Sequence, residues 1–150
     1  MSDHFIDLQT ANRRKQVLTV DDNPLNMKLF SALIESQGYE ALEADNATQG
    51  LDLARRHHPA LIVMDIQLPD ISGYDAIRML KAEQSTRDIP IIATTAFAHH
   101  ADQEQIKQSK CDGFLAKPIS ISEFLTLINA LIAPACFSDD GSARLADTAA

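Results

Sequence analysis

The sequence is short of the features that mark several large classes of protein. It has only two cysteines, Cys111 and Cys136, and they form neither a CxxC motif nor a metal-ligand pattern. Free thiols in a reducing compartment fit this spacing best, so we expect a cytoplasmic protein. No apolar run approaches the roughly 18 residues of a membrane span. Residues 1–16 lack the apolar core of a signal peptide, so we expect neither export nor membrane insertion.

Positive charge and glycine are also scarce. The chain has 13 lysines and arginines against 21 acidic residues, and its formal net charge is -8. This balance argues against a surface that follows the phosphates of a nucleic acid, so we expect no direct nucleic-acid binding. A dinucleotide-binding domain needs a glycine-rich turn after its first strand. The sequence Asp21-Asp22-Asn23-Pro24 stands there instead, and its two carboxylates would repel a pyrophosphate.

The chain is nevertheless long and apolar enough to fold without disulfides or metal staples. Its 150 residues are 45% hydrophobic, which suits one globular domain with a sizeable core. We place this domain at residues 14–133, after a flexible N-terminal extension at 1–13. From Pro134 onward the residues are mostly small, polar or acidic, so we expect a disordered C-terminal tail at 134–150.

Short apolar runs alternate with stretches of helical spacing. The predicted strands cover residues 16–20, 39–44, 61–64, 91–95 and 113–116. The predicted helices follow Asn23, Ala47, Ser72, His99 and Ser120, and Ser72 with Asp75 and Ser120 with Glu123 resemble capping boxes. The helix at 99–109 has few large apolar residues and should be loosely held. This alternation predicts an α/β domain with a parallel sheet covered on both faces.

Polar side chains stand at the carboxyl ends of four predicted strands. These residues are Asp21, Asp22, Asp65, Thr95 and Lys117. Ligands of such sheets bind outside the carboxyl ends of the strands, so the five side chains should share one crevice. Asp65 alone could be an ordinary loop acid. It ends the run Leu61–Met64, however, which resembles a strand buried on both faces, where an acid is costly.

The predicted cluster of charges indicates a particular chemistry. Two like charges about 4 Å apart repel by about 4 kcal/mol at an effective dielectric near 20, so gathered carboxylates call for a cation or shifted pKa values. Ligands that are all oxygens favour Mg²⁺ over Zn²⁺. Lys117 offers an ammonium to an anion, and Thr95 offers a hydroxyl donor. Together these groups suit phosphoryl transfer, with Asp65 as the nucleophile that becomes an aspartyl phosphate.

Four motifs carry a resemblance to a known family. In order they are Asp21-Asp22, MDIQLPDISG around Asp65, Thr95-Ala96 after IPIIAT, and Lys117-Pro118. The set resembles the receiver domain of bacterial two-component response regulators, the CheY-like superfamily. The NPLNMKLF and TAFA segments and the expected lack of an output domain are most similar to single-domain, DivK-type regulators. The resemblance implies a doubly wound, flavodoxin-like (βα)5 domain with strand order 2-1-3-4-5.

The resemblance also implies a role for each acidic residue. Asp65 would accept a phosphoryl group from a sensor histidine kinase or a histidine phosphotransferase. Asp22 and Asp65 would bind Mg²⁺ directly, Asp21 would bind it through water, and Gln67 would contribute its backbone carbonyl. Such a protein would catalyse only its own phosphorylation and autodephosphorylation, so we expect a signalling protein rather than an enzyme.

The remaining residues of the motifs would hold the phosphoryl group and transmit the signal. Thr95 and Lys117 would bind the phosphoryl oxygens, with the ammonium aimed by a cis Lys117-Pro118 bond. Thr95 and Phe114 would form a switch, and partner proteins would read the face made by helix 4, strand 5 and helix 5. Gln67 and Phe97 occupy the positions that tune phosphate lifetime in this family.

Several alternatives remain open from the sequence alone. Thr94 could be mistaken for Thr95, although Ala96 aligns with the motif when Thr95 is chosen, and Phe114 could be only a core residue. A phosphatase of the haloacid dehalogenase type would have a second aspartate two residues after its nucleophile, where this chain has Gln67. A degenerate receiver that only binds proteins is the remaining rival. The pairs His57-His58 and His99-His100 are predicted surface residues, because adjacent helical residues do not share a face.

Overall fold

A computed structural model describes residues 15–96, 104 and 107–132. The predicted extension at 1–13 and the predicted tail at 134–150 lie outside these residues. Five parallel strands form one sheet, and they are β1 (Gln16–Val20), β2 (Glu40–Ala44), β3 (Leu61–Asp65), β4 (Ile91–Thr95) and β5 (Gly113–Ala116). Their spatial order is β2-β1-β3-β4-β5, so the predicted parallel sheet and its strand order are confirmed.

Helices connect the strands in the predicted positions. They are α1 (Pro24–Ser36), α2 (Ala47–His57), α3 (Gly73–Ala82) and α5 (Ile121–Leu131). Residues 104 and 107–109 are also helical and belong to the predicted fourth helix, here α4, whose other residues are not described. None of the helices in the described part of the chain is long and apolar enough to cross a membrane.

Side-chain caps explain where several helices begin. The Asn23 carboxamide oxygen accepts hydrogen bonds from the amides of Leu25 and Asn26, as the predicted cap of α1 requires. Ser120 caps α5 by accepting a bond from the amide of Glu123. Ser72 caps α3, but the Asp75 carboxylate forms an ion pair with Arg78. The predicted capping box at α3 is therefore wrong in the role of its acid, because a nearby guanidinium binds that carboxylate.

The sheet is covered on both faces, as the sequence predicted. One core cluster packs α2 and α3 against the sheet, and the other packs α1 and α5 against the opposite face. In the second cluster the rings of Phe30 and Phe124 lie 5.0 Å apart. Strands β3 and β4 are buried along their whole length. Because central strands have no free edge and no solvent face, any polar residue at their ends enters a sheltered position.

Candidate active site

The predicted site residues meet at the carboxyl edge of the sheet because hydrogen bonding between neighbouring strands continues beyond their ends. The amide of Asp21 donates to the carbonyl of Ala44 at 3.0 Å, which extends the β1–β2 pairing. The amide of Lys117 donates to the carbonyl of Thr95 at 2.7 Å, so the residue after β5 is held beside β4. Asp65 itself pairs with Thr94 within the β3–β4 ladder. Backbone pairing therefore fixes the Cα positions from which these side chains extend.

Three carboxylates form the predicted acidic cluster. One oxygen each from Asp21, Asp22 and Asp65 lies within 4.8 Å of the other two. Asp21 and Asp65 are 1% and 3% exposed, whereas Asp22 is on the surface. The amides of Asn23 and Gln67 donate to Oδ1 of Asp21 and Asp65 at 2.9 and 3.1 Å, respectively. These local bonds orient the two buried carboxyl groups.

Lys117 supplies the positive charge of the site. Its Nζ lies 3.1 Å from Oδ2 of Asp21 and 3.3 Å from Oδ2 of Asp65, and its side chain is 16% exposed. The Lys117–Pro118 peptide bond is cis, as predicted. One ammonium thus contacts two of the three carboxylates, and the cluster keeps an excess of negative charge.

The pKa of Asp65 reflects both its burial and the charges around it. Burial raises the pKa of its carboxyl group, and the negative charge of Asp21 raises it further. The charge of Lys117 and the amide of Gln67 lower the pKa but do not offset burial. A divalent cation would relieve the repulsion, and the clustered donors are all oxygens, which a hard ion such as Mg²⁺ prefers. The residues therefore fit the predicted metal.

Thr95 lies on β4, next to β3, and Phe114 lies on β5, one strand further out. Thr95 is buried at the end of β4, where it pairs with Ala116 of β5. Phe114 is half-buried and packs against the core cluster of α2 and α3. Thr94, the alternative to Thr95, is fully buried at the level of Asp65, and its hydroxyl has no hydrogen-bond partner among the described residues. Phe97 lies outside the described residues.

Gly73 is a residue of the site whose role the sequence did not reveal. A β-carbon built on it would lie 2.2 Å from the carbonyl oxygen of Asp65 and 2.6 Å from Cα of Ile66. Its amide also donates to the carbonyl of Ile66 at 2.9 Å. The start of α3 is therefore pressed against the backbone of Asp65, and a side chain at this position would force the two apart. The sequence signal was a glycine immediately after the cap Ser72, where most residue types are acceptable.

The structure describes one of the two histidine pairs that were predicted to lie on the surface. His57 and His58 are exposed at the end of α2, which confirms that this histidine pair is a surface feature. The second pair, His99-His100, lies outside the described residues.

Comparison with known proteins identifies the family. Residues 17–129 match the response regulator receiver domain. The chain belongs to this family. The receiver domain is 48% identical over 121 residues to the polar-differentiation response regulator DivK of Brucella ovis, covering 81% of this chain and 98% of that protein. DivK of Brucella anthropi matches at the same identity and coverage. The predicted membership and the similarity to DivK-type regulators are confirmed, and the receiver domain is a two-component signalling protein.

Solved structures agree with the fold. The receiver domain of a sensor histidine kinase from Pseudomonas aeruginosa superposes with a TM-score of 0.75 at 33% identity, covering 80% of this chain and 98% of that one. That structure has a magnesium ion coordinated in its active site cleft. The chemotaxis protein CheY4 of Vibrio cholerae, at 21% identity, has a TM-score of 0.74 and covers 79% of this chain and 98% of its own, and it supports the fold alone. The individual roles of Asp65, Thr95 and Lys117 remain predictions.

Proposed function

We propose that this receiver domain accepts a phosphoryl group on Asp65 in a Mg²⁺-dependent reaction and signals by phosphorylation-dependent docking to other proteins. The donor would be a phosphohistidine of a sensor histidine kinase or of a histidine phosphotransferase. The observation that carries this proposal is the meeting of three carboxylates and one ammonium at the carboxyl edge of the sheet. The 48% identity to DivK over almost the whole of that regulator supports it.

The acidic cluster would hold the metal in this reaction. Asp22 and Asp65 would bind Mg²⁺ directly, Asp21 would bind through water, and the Gln67 carbonyl would complete the protein ligands. Bound Mg²⁺ supplies positive charge that offsets the carboxylates and the phosphoryl oxygens. The magnesium in the cleft of the Pseudomonas aeruginosa receiver domain supports this assignment.

Asp65 would then act as the nucleophile. An Oδ atom of Asp65 forms a bond to phosphorus while the bond from phosphorus to the histidine nitrogen of the donor breaks, and the imidazole leaves with that electron pair. Lys117 lies 3.3 Å from Asp65, so its ammonium needs to move only a short distance to hold a phosphoryl oxygen. Thr95 would donate its hydroxyl to another. Hydrolysis of the acyl phosphate by water returns Asp65 to its carboxylate, and this reaction concerns no other substrate.

Phosphorylation would be transmitted through Thr95 and Phe114. The phosphoryl group adds up to two negative charges and draws the Thr95 hydroxyl towards it. Phe114 would move inward, and the face formed by α4, β5 and α5 would rearrange for downstream proteins. A cavity of about 360 Å³ lined by Phe114, Leu115 and Thr126, among others, lies between β5 and α5 and supports a change of packing there.

Exposed apolar side chains offer a docking place for the donor. Leu25 is 76% exposed near the start of α1, three residues after Asp22. Ile121 is 51% exposed at the start of α5, four residues after Lys117. A partner that covers both would bring its phosphohistidine close to the acidic cluster. Cytoplasmic location and the absence of direct nucleic-acid binding remain predictions from cysteine usage and net charge.

Phosphorylation in vitro tests the proposal. The wild type incubated with acetyl phosphate and Mg²⁺ should gain the mass of one phosphate, and EDTA should prevent the gain. Asp65→Asn should gain none, because an amide lacks the nucleophilic carboxylate. Asp75→Asn is the matched control, since it removes an exposed acid on α3, and it should behave like the wild type. A mass gain that survives in Asp65→Asn excludes Asp65 as the acceptor, and a wild type that gains none would favour a degenerate receiver.

A further inference from the structure

Asp70 binds the start of a helix that is distant in sequence. Its Oδ1 accepts a hydrogen bond from the amide of Ala47 at 2.9 Å, and its Oδ2 accepts bonds from the amide and the hydroxyl of Thr48 at 2.8 and 2.7 Å. These bonds, with that of the hydroxyl the strongest, hold the pKa of Asp70 well below its usual range. Asp70 is exposed in the structure. From the sequence alone it would be taken for an ordinary acidic residue of a surface loop.

The loop that contains Asp70 is also held at its two ends. At its start, the amide of Gln67 donates to Oδ1 of Asp65 at 3.1 Å. At its end, the amide of Gly73 donates to the carbonyl of Ile66 at 2.9 Å. Asp70 lies between these two points and attaches the middle of the loop to the start of α2. The segment from Asp65 to α3 is therefore held at its start, its middle and its end.

The contacts of Asp70 also connect the two loops that contain the acidic cluster. Helix α2 follows β2, whose last residue, Ala44, accepts the amide hydrogen bond of Asp21 at 3.0 Å. The path therefore runs from Asp21 through the end of β2 to Ala47, and from there through Asp70 to Gln67. Asp21 follows β1 and Gln67 follows β3, and Asp70 connects the backbone segments that hold these two residues.

Asp70 completes the capping of α2 from outside the chain segment of that helix. The N-cap of α2 is Asn46, whose side chain accepts a hydrogen bond from the amide of Gln49 at 2.8 Å. The helix thus has its own cap within its own chain segment. Asp70 binds the amides of Ala47 and Thr48 from a different part of the chain, and its two carboxylate oxygens accept three hydrogen bonds there.

We propose that Asp70 is a positioning residue for the metal site, which sets the Gln67 carbonyl at the correct place relative to Asp21 and Asp22. The inference rests on the proposed function, in which these groups hold Mg²⁺. A loop that is already ordered loses little conformational freedom when it binds a ligand, whereas a free loop must be ordered at that moment. Asp70 therefore contributes to metal affinity without contacting the metal.

Magnesium titration of the full chain by calorimetry tests this role. Asp70→Ala removes all three bonds and should raise the Kd for Mg²⁺ about tenfold, as loss of outer partners does at other metal sites. Asp70→Asn retains one accepting oxygen and should have a smaller effect, and Thr48→Val, which loses only the hydroxyl bond, should have the smallest. Asp52→Asn is the matched control, because it removes an exposed acid of α2 that pairs with Arg56 and should leave the Kd unchanged.

A melting curve of each variant separates positioning from simple stabilisation. If Asp70→Ala melted at a lower temperature but kept the Kd of the wild type, the positioning role would be wrong. If Asp70→Ala did not fold, unchanged Kd values in Asp70→Asn and Thr48→Val would overturn the proposal equally. A wild type that binds no Mg²⁺ would overturn the proposed metal site itself, and the inference with it.

Discussion

Lys81 and Lys117 are two largely buried lysines that lie at the amino and carboxyl edges of the sheet, respectively, and their surroundings differ. The side chain of Lys81, in the last turn of α3, is 13% exposed, and that of Lys117 is 16% exposed. Nζ of Lys81 contacts the carbonyls of Arg87 and Ile89 at 3.3 and 2.9 Å and Oδ2 of Asp112 at 2.8 Å. An ammonium has three donors, so these three acceptors satisfy it.

The balance of charge separates the two clusters. At the amino edge, one ammonium faces one carboxylate, and Asp112 also accepts the amide of Ile91 at 2.8 Å. At the carboxyl edge, Lys117 contacts the two buried carboxylates of a cluster of three. The first cluster ties α3 to the starts of β4 and β5 and needs nothing more. The second keeps an excess of negative charge, which a further cation would offset. A buried lysine that is paired with one aspartate therefore does not indicate a functional site. A cluster in which carboxylates outnumber the ammonium is a candidate for one.

The largest difference between the lysines should be in the rate of phosphorylation. Lys117→Met should slow phosphorylation by acetyl phosphate about 100-fold, as loss of one preorganised donor to a developing charge does in enzymes. Lys81→Met should change the rate little, because Lys81 lies at the other edge of the sheet. Time courses of mass gain at saturating Mg²⁺ measure both. Equal rates in the two variants would break the comparison.

Stability should show the reverse order. Lys81→Met leaves the carbonyls of Arg87 and Ile89 and the Asp112 carboxylate without their donor, so the free energy of unfolding should fall by about 2 kcal/mol. In the presence of Mg²⁺, Lys117→Met should lose less stability, since the cation compensates the carboxylates that lose their ammonium partner. Urea denaturation of both variants, with Mg²⁺ present, provides the measurement. A Lys81 variant as stable as the wild type would show that its hydrogen bonds do not hold the edge.

The smallest effect should be a dependence of stability on pH. Burial raises the pKa of Asp65 in the folded protein, so the folded state binds this proton more tightly than the unfolded chain does. The resulting stabilisation is complete below the unfolded pKa near 4 and is lost as the pH rises through the raised folded value. Asp65→Asn lacks this pH-dependent contribution to stability, because its amide does not titrate. Without Mg²⁺, the stability of the wild type relative to Asp65→Asn should therefore decrease with rising pH over that window.

A difference between two proteins is needed for this measurement because other acids titrate as well. The pKa of Asp70 is lowered, and its contribution has the opposite sign, since it is lost as the pH falls. Asp70 is present in both proteins and cancels in the comparison. Asp75→Asn serves as the control, and its difference from the wild type should not show the decline. A difference for Asp65→Asn that did not change with pH would contradict the raised pKa.

Most of the sheet could be predicted because its strands are short apolar runs with clear ends. The bounds of β1, β4 and β5 agree with the prediction, and β2 differs by one residue at its start. Caps such as Asn23 were also predictable, because a cap depends only on residues a few positions away in the sequence. The Asp75 carboxylate was assigned the wrong partner because Arg78, one helical turn further on, competes for it.

The sequence by itself determined the order of the site residues and the strand ends at which they stand, because periodicity, turns and caps are properties of neighbouring residues. Only the tertiary structure decided how those residues interact. Lys117 forms ion pairs with both Asp21 and Asp65. The backbone of Gly73 lies so close to that of Asp65 that a side chain would not fit between them. Asp70 accepts a hydrogen bond from the start of α2. Each of these facts depends on distances and burial between segments far apart in the chain. Such distances exist only after the sheet and its helices have packed.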